Sequence, residues 1–141
     1  MVDVFGLDEI FYRTIPKEHA EILEKTKKLT PTTETFTSPT QAFSNNYDGV
    51  TYKFTMKDGT TKALENIGVR DQSKLVKSTY PNMPEVKSGW NENSVFFKQE
   101  KVGKNAQINI GLGKGKGIEI FNENIISFEN VSTNNVNIEC K

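Results

Sequence analysis

The sequence predicts an α+β domain on a mainly antiparallel, split β-sheet core with a few short helices, and three observations carry that prediction. Along residues 50–56 apolar Val50, Tyr52, Phe54 and Met56 alternate with Thr51, Lys53 and Thr55, which puts alternate side chains on opposite faces of a half-buried strand. The same texture recurs late, in 94–98, 106–112 and 125–131, with Ile108, Ile110 and Leu112 in alternation. A helical pattern stands early: Pro16 suits a first turn, Glu18 and Glu21 lie near the favourable N-terminus, and Lys25, Lys27 and Lys28 near the C-terminus at about Leu29. Early helix with strands throughout is the pattern of an α+β fold.

Each further element follows in order. Residues 10–14, rich in β-branched and aromatic side chains, predict a strand with Arg13 embedded in it, either a cation on a solvent face or a fixed fork for phosphate or carboxylate. In the helix that follows, Ala20, Leu23 and Lys27 share a thin apolar side, and His19 among charged neighbours reads as a surface residue. Residues 30–40, dense in threonine and proline, predict a loop with a short strand, Phe36 its apolar anchor. Residues 45–49 read as a turn, and Asp58-Gly59 as another before a short helix at 63–67, capped by Thr60 or Thr61 and stopped at Gly68. Residues 71–93, broken by Pro81, Pro84 and Gly89, predict an irregular connection held by Trp90, and 101–105 a turn. A glycine-rich hinge at 111–117 then leads to a predicted strand at 118–121, with Ile118 and Ile120 buried and Glu119 on the opposite face. Val136 and Ile138 suggest a last edge strand in a polar tail.

Composition narrows the chemistry. The 141 residues suit one domain, 8–141, preceded at 1–7 by a short stretch of different texture. With 18 basic and 18 acidic side chains, no net charge steers the molecule toward nucleic acid or anionic lipid. No apolar run reaches the ~20 residues that span a bilayer, so no membrane partner is expected. Cys140 is the only cysteine and His19 the only histidine, which leaves no thiolate cluster, no internal disulfide and no set of zinc ligands. The glycine cluster fails as a P-loop, since Lys116 is followed by Gly117 rather than Ser or Thr. What remains is a metal-free enzyme working with arginine, hydroxyl and glutamate, or a non-enzymatic binding module. Those three groups suit cleavage of a nicotinamide glycosidic bond: Arg13 to clamp a diphosphate, a hydroxyl to orient, and Glu119 to stabilise the positive sugar. Phe43 and Tyr47 offer rings for the nicotinamide, or serve as ordinary core residues.

Tyr12-Arg13, then Phe36-Thr37-Ser38-Pro39-Thr40, then Ile118-Glu119-Ile120-Phe121 resembles the arginine, serine-x-serine and glutamate pattern of mono-ADP-ribosyltransferases. The wider text, including ETFTSPTQAFSNNYDG and QINIGLGKGKGIEIFN, is similar to C-terminal toxin domains of bacterial Rhs polymorphic toxins of that class, over nearly all of 8–131. Residues 1–7 resemble the end of the Rhs shell, with Val4 and Phe5 departing from its usual Asp-Pro. The resemblance implies an ADP-ribosyltransferase-like fold with NAD as co-substrate and no metal. It makes Glu119, Arg13 and Ser38 catalytic, and Arg13, Thr37, Ser38, Thr40, Phe43 and Tyr47 the NAD-binding set. Thr40 replaces the last serine, and Gly117 stands where many protein-modifying members carry Glu or Gln, which leaves the acceptor open. It implies an effector delivered by type VI secretion in interbacterial competition, acting in the target cytoplasm on translation, with a cognate immunity protein and the parent shell as partners. The resemblance implies elongation factor Tu or structured RNA such as ribosomal RNA as acceptor; zero net charge favours a protein and hence the former, while Lys98, Lys101, Lys104, Lys114 and Lys116 would serve RNA, and a metal-independent ribonuclease is a further alternative.

Overall fold

The computed structural model describes residues 8–87 and 90–132, so the shell-like residues 1–7, Cys140 and the edge strand expected around Val136 and Ile138 lie outside the described residues. The elements are β1 (Glu9–Ile15), α1 (Lys17–Thr26), β2 (Phe36–Thr37), α2 (Gln41–Ser44), β3 (Val50–Met56), α3 (Thr60–Glu65), β4 (Gly68–Arg70), α4 (Lys74–Thr79), β5 (Val95–Glu100), β6 (Gln107–Gly111), α5 (Lys116–Glu123) and β7 (Ile125–Asn130), with a single 3-10 turn at Gly103–Asn105. This is the α+β class that the alternation predicted.

The strands form two sheets, ordered β1-β3-β7 and β2-β6-β5-β4, antiparallel except for the parallel pair β4 and β5. One bridge joins them: Tyr12 and Ser38 exchange both backbone hydrogen bonds, at 2.8 and 2.9 Å. In the first sheet the period-2 pattern is realised. Tyr52, Phe54 and Met56 are buried, as are Phe11, opposite Phe54, and Ile15, opposite Val50, on β1. Helix α1 buries Ala20 and Leu23 and closes at Lys27, whose left-handed φ of 66° ends it short of the predicted Leu29. His19 is half-buried there.

The chief correction concerns residues 118–121, expected as a strand and found in helix α5. A window reading Ile-Glu-Ile-Phe satisfies either period, and packing chooses 3.6: Ile118 and Phe121 share the buried face, Phe121 meeting Phe11 at 5.4 Å and Phe54 at 5.2 Å between ring centroids. Asn122 fixes the helix to the chain after α1, its Oδ1 accepting from Leu29 N at 2.8 Å and its Nδ2 donating to Leu29 O at 3.1 Å. Gly117 permits the close approach, because a Cβ there would collide with the Leu112 carbonyl oxygen and stand 2.7 Å from Val95 Cγ2. Gly117→Ala is therefore expected to lower stability by about 1–3 kcal/mol in urea melts, the cost of overpacking against a backbone group that cannot yield.

A further helix, α4, occupies part of the stretch 71–93 expected to be irregular, and the short strand β4 comes just before it. Ser73 caps α4 by accepting from Val76 N at 3.3 Å, and Val76 is fully buried. Trp90 packs as expected, its ring 5.0 Å from Phe96 and 5.8 Å from Phe36. The short helix expected at 63–67 begins earlier, at Thr60 after Gly59.

Candidate functional site

Beside the seam between the sheets lies a cleft of about 300 Å³. Its electrostatic centre is Arg13. Strand alternation puts this side chain in the β1 row that holds Phe11 and Ile15, where an apolar residue would ordinarily stand. Nη1 donates to Phe36 O at 2.7 Å and Nη2 to Thr32 Oγ1 at 3.2 Å, while the buried Nε has no partner. Burial pulls the guanidinium down to about 10, partly opposed by the nearby Tyr47, so it is still a cation at neutral pH. Arg70, which is buried where Arg13 is half-buried, gives a contrast. Arg70 has Glu85 at 3.5 Å, whereas among the described residues no carboxylate stands within ion-pair distance of Arg13. A buried cation without a counterion costs free energy and is kept where something else supplies the negative charge.

The loop before β2 holds this cation in place. Thr35 is buried with φ at 46°, a left-handed conformation that β-branched residues avoid. Its Oγ1 lies 2.8 Å from both Thr32 O and Gly113 O and accepts from Thr32 N at 2.9 Å, while Thr35 N donates to Thr32 Oγ1 at 3.0 Å. Thr32 thereby turns its hydroxyl onto Arg13. The same knot brings exposed Glu34 to the cleft wall, and Gly113 N donates to Glu34 O at 3.0 Å.

Of the residues expected in a site, the cleft gathers Arg13, Thr37, Ser38, Phe43 and Tyr47. Thr37 Oγ1 donates to Ile110 O at 3.0 Å. Ser38 is 3% exposed, and its hydroxyl accepts from Thr40 N at 3.0 Å and Gln107 Nε2 at 3.0 Å and donates to Thr40 O at 2.8 Å, so it holds structure rather than a reacting proton. The rings of Phe43 and Tyr47 stand 5.8 Å apart at 53°, Tyr47 largely exposed. Thr40 caps α2 and lines a neighbouring groove instead. Glu119 is not among the cleft's lining residues. It is exposed in the first turn of α5, where its charge complements the helix dipole. The strand that would have aimed it inward does not exist.

Thr32, Glu34 and Asn109 are among the cleft residues that were not anticipated. Asn109 is the informative one. It sits between Ile108 and Ile110 on β6, reads as a solvent-facing polar residue, and is 2% exposed. Nothing in strand alternation distinguishes a wet polar face from a polar face covered by another layer.

Fold and site together define a class: a small α+β domain built around one uncompensated buried cation, with no metal-binding cluster of histidine, cysteine and carboxylates among the described residues. Among those residues no helix is long and apolar enough to cross a membrane. The family model for the PT3 toxin domain matches residues 7–130, and the chain belongs to that family. It is a toxin domain of the kind carried by polymorphic toxins. No curated protein matches the sequence.

Proposed function

We propose that this toxin domain is a mono-ADP-ribosyltransferase that takes NAD as co-substrate and modifies a component of the target cell's translation machinery, elongation factor Tu first. The observation that carries the reading is Arg13, a buried fork of donors without a carboxylate, opening into a cleft with hydroxyls and two aromatic rings. A diphosphate supplies the missing negative charge, and Phe43 and Tyr47 offer faces to the nicotinamide. In the reaction the bond between ribose C1′ and the nicotinamide nitrogen breaks, and nicotinamide leaves with the electron pair. An acceptor nucleophile bonds to C1′ and gives up its proton. Positive charge grows on the sugar between these events, and a carboxylate at the cleft stabilises it. Resemblance assigns that carboxylate to Glu119; we assign it to Glu34, a residue of the cleft wall. The toxin role, resemblance to Rhs effectors and need to protect the producer support delivery into a competitor's cytoplasm and a dedicated immunity protein over the cleft.

The test is incubation of the domain with bacterial lysate and labelled NAD, followed by protease and RNase digestion of labelled material. A protease-sensitive band at the mass of elongation factor Tu supports the reading; absence of nicotinamide release with every lysate ends it. One feature favours RNA as a second acceptor. A groove of about 550 Å³ shares Phe43 with the cleft and is lined by Lys101 and Lys104 without a carboxylate, Lys101 Nζ standing 5.9 Å from the Phe43 centroid. For an RNA acceptor, labelling is expected to be RNase-sensitive and to fall with salt by a log–log slope of about 0.7 per phosphate engaged; salt-insensitive labelling removes this second reading.

A further inference from the structure

We propose that Asn109 is a second anion-binding donor on the cleft floor, and that Gln107, which lies outside that cleft's lining, is the positioning residue that makes it one. The site would take a phosphoryl oxygen, most simply from a diphosphate. The inference deepens the transferase reading and rests on it for the identity of the natural ligand, a nicotinamide dinucleotide.

A chain of hydrogen bonds fixes the orientation of the Asn109 amide. Thr40 Oγ1 accepts from Phe43 N at 3.4 Å at the start of α2 and so turns its own proton to Gln107 Oε1, 2.8 Å away. With its oxygen used, Gln107 must direct Nε2 the other way, where it donates to Ser38 Oγ at 3.0 Å and to Asn109 Oδ1 at 2.6 Å. Ser38 Oγ is free to accept because its proton goes to Thr40 O. Asn109 then has its carbonyl oxygen engaged and its amino group left to donate into the cleft it lines, from a side chain that is 98% buried by its 2% exposure. Arg13 lines the same cleft and remains a cation at neutral pH. A fixed amide donor and a guanidinium in one cleft match the oxygens of a phosphate, the first by a hydrogen bond and the second by its charge. Gln107 thus sets the sign of the site: were its amide reversed, Asn109 would present an oxygen and repel the same ligand.

Inorganic pyrophosphate is the probe, because it requires no glycosidic chemistry. In the wild-type domain, titration is expected to shift the side-chain amide resonances of Asn109 and to give a measurable affinity by calorimetry. Asn109→Ala and Gln107→Met are each expected to weaken pyrophosphate at least ~10-fold with melting temperatures little changed, the second without removing any group that touches the ligand. Wild-type affinity in both variants, or no response of the Asn109 amide in the wild type, overturns the proposal. Pyrophosphate binding without nicotinamide release in any lysate leaves this site standing and overturns the transferase reading instead.

Discussion

Arg13→Met is expected to abolish measurable NAD binding while leaving stability within about 1 kcal/mol of wild type, which sets the variant apart from ordinary core damage. Three terms decide the second part. Methionine fills much of the same volume in the row of Phe11 and Ile15, and it removes the desolvation penalty of a buried, unpartnered Nε. Against that, the hydrogen bonds to Phe36 O and Thr32 Oγ1 are lost, at roughly 1 kcal/mol each. The opposed contributions nearly cancel for folding, whereas the loss of the cation has no such offset in the proposed binding. Arg13→Lys keeps a charge without the planar fork and is expected to bind NAD about 10-fold more weakly. Calorimetric titration beside urea melts checks all of this; a strongly destabilised Arg13→Met would show that the guanidinium is a structural strut.

The second large effect concerns the carboxylate. Glu34→Gln is expected to lower the rate of nicotinamide release by about 100-fold with little change in KM, the scale of losing one electrostatic partner of the transition state. Glu119→Gln is expected to keep near-wild-type turnover, since its side chain is exposed on α5 and does not line the cleft. The two variants measured side by side give a clear decision. Loss in Glu119→Gln with full activity in Glu34→Gln would return the role to the helix and mean that α5 moves when NAD binds.

How far the sequence could be read depends on what each residue meets. β1 and β3 were legible because one face of each is covered and strand alternation makes that visible, as with Tyr52, Phe54 and Met56. Arg13 was legible as an oddity, a cation in a strand, and it lines the cleft. Helix α5 was not, because four residues are too few to separate a period of 2 from one of 3.6. The deciding facts were tertiary: the Phe121 contacts with Phe11 and Phe54 and the clamp of Asn122 on Leu29. Likewise α4 hid behind two prolines, although Ser73 three residues before Val76 was a usable capping signal. Asn109 and Gln107 were invisible in principle, since their significance lies in who accepts whose proton across 69 residues of chain.

The pairing of β2 with β6 also governs when this molecule becomes dangerous. Thr37 and its partner Ile110 are 73 residues apart, and the later strand supplies Asn109 to the cleft. A nascent or clipped polypeptide that stops before β6 carries Arg13, Thr37 and Ser38 yet lacks Asn109 and the strand that pairs with β2. The most distant closure beside the cleft is therefore made only once β6 has left the ribosome.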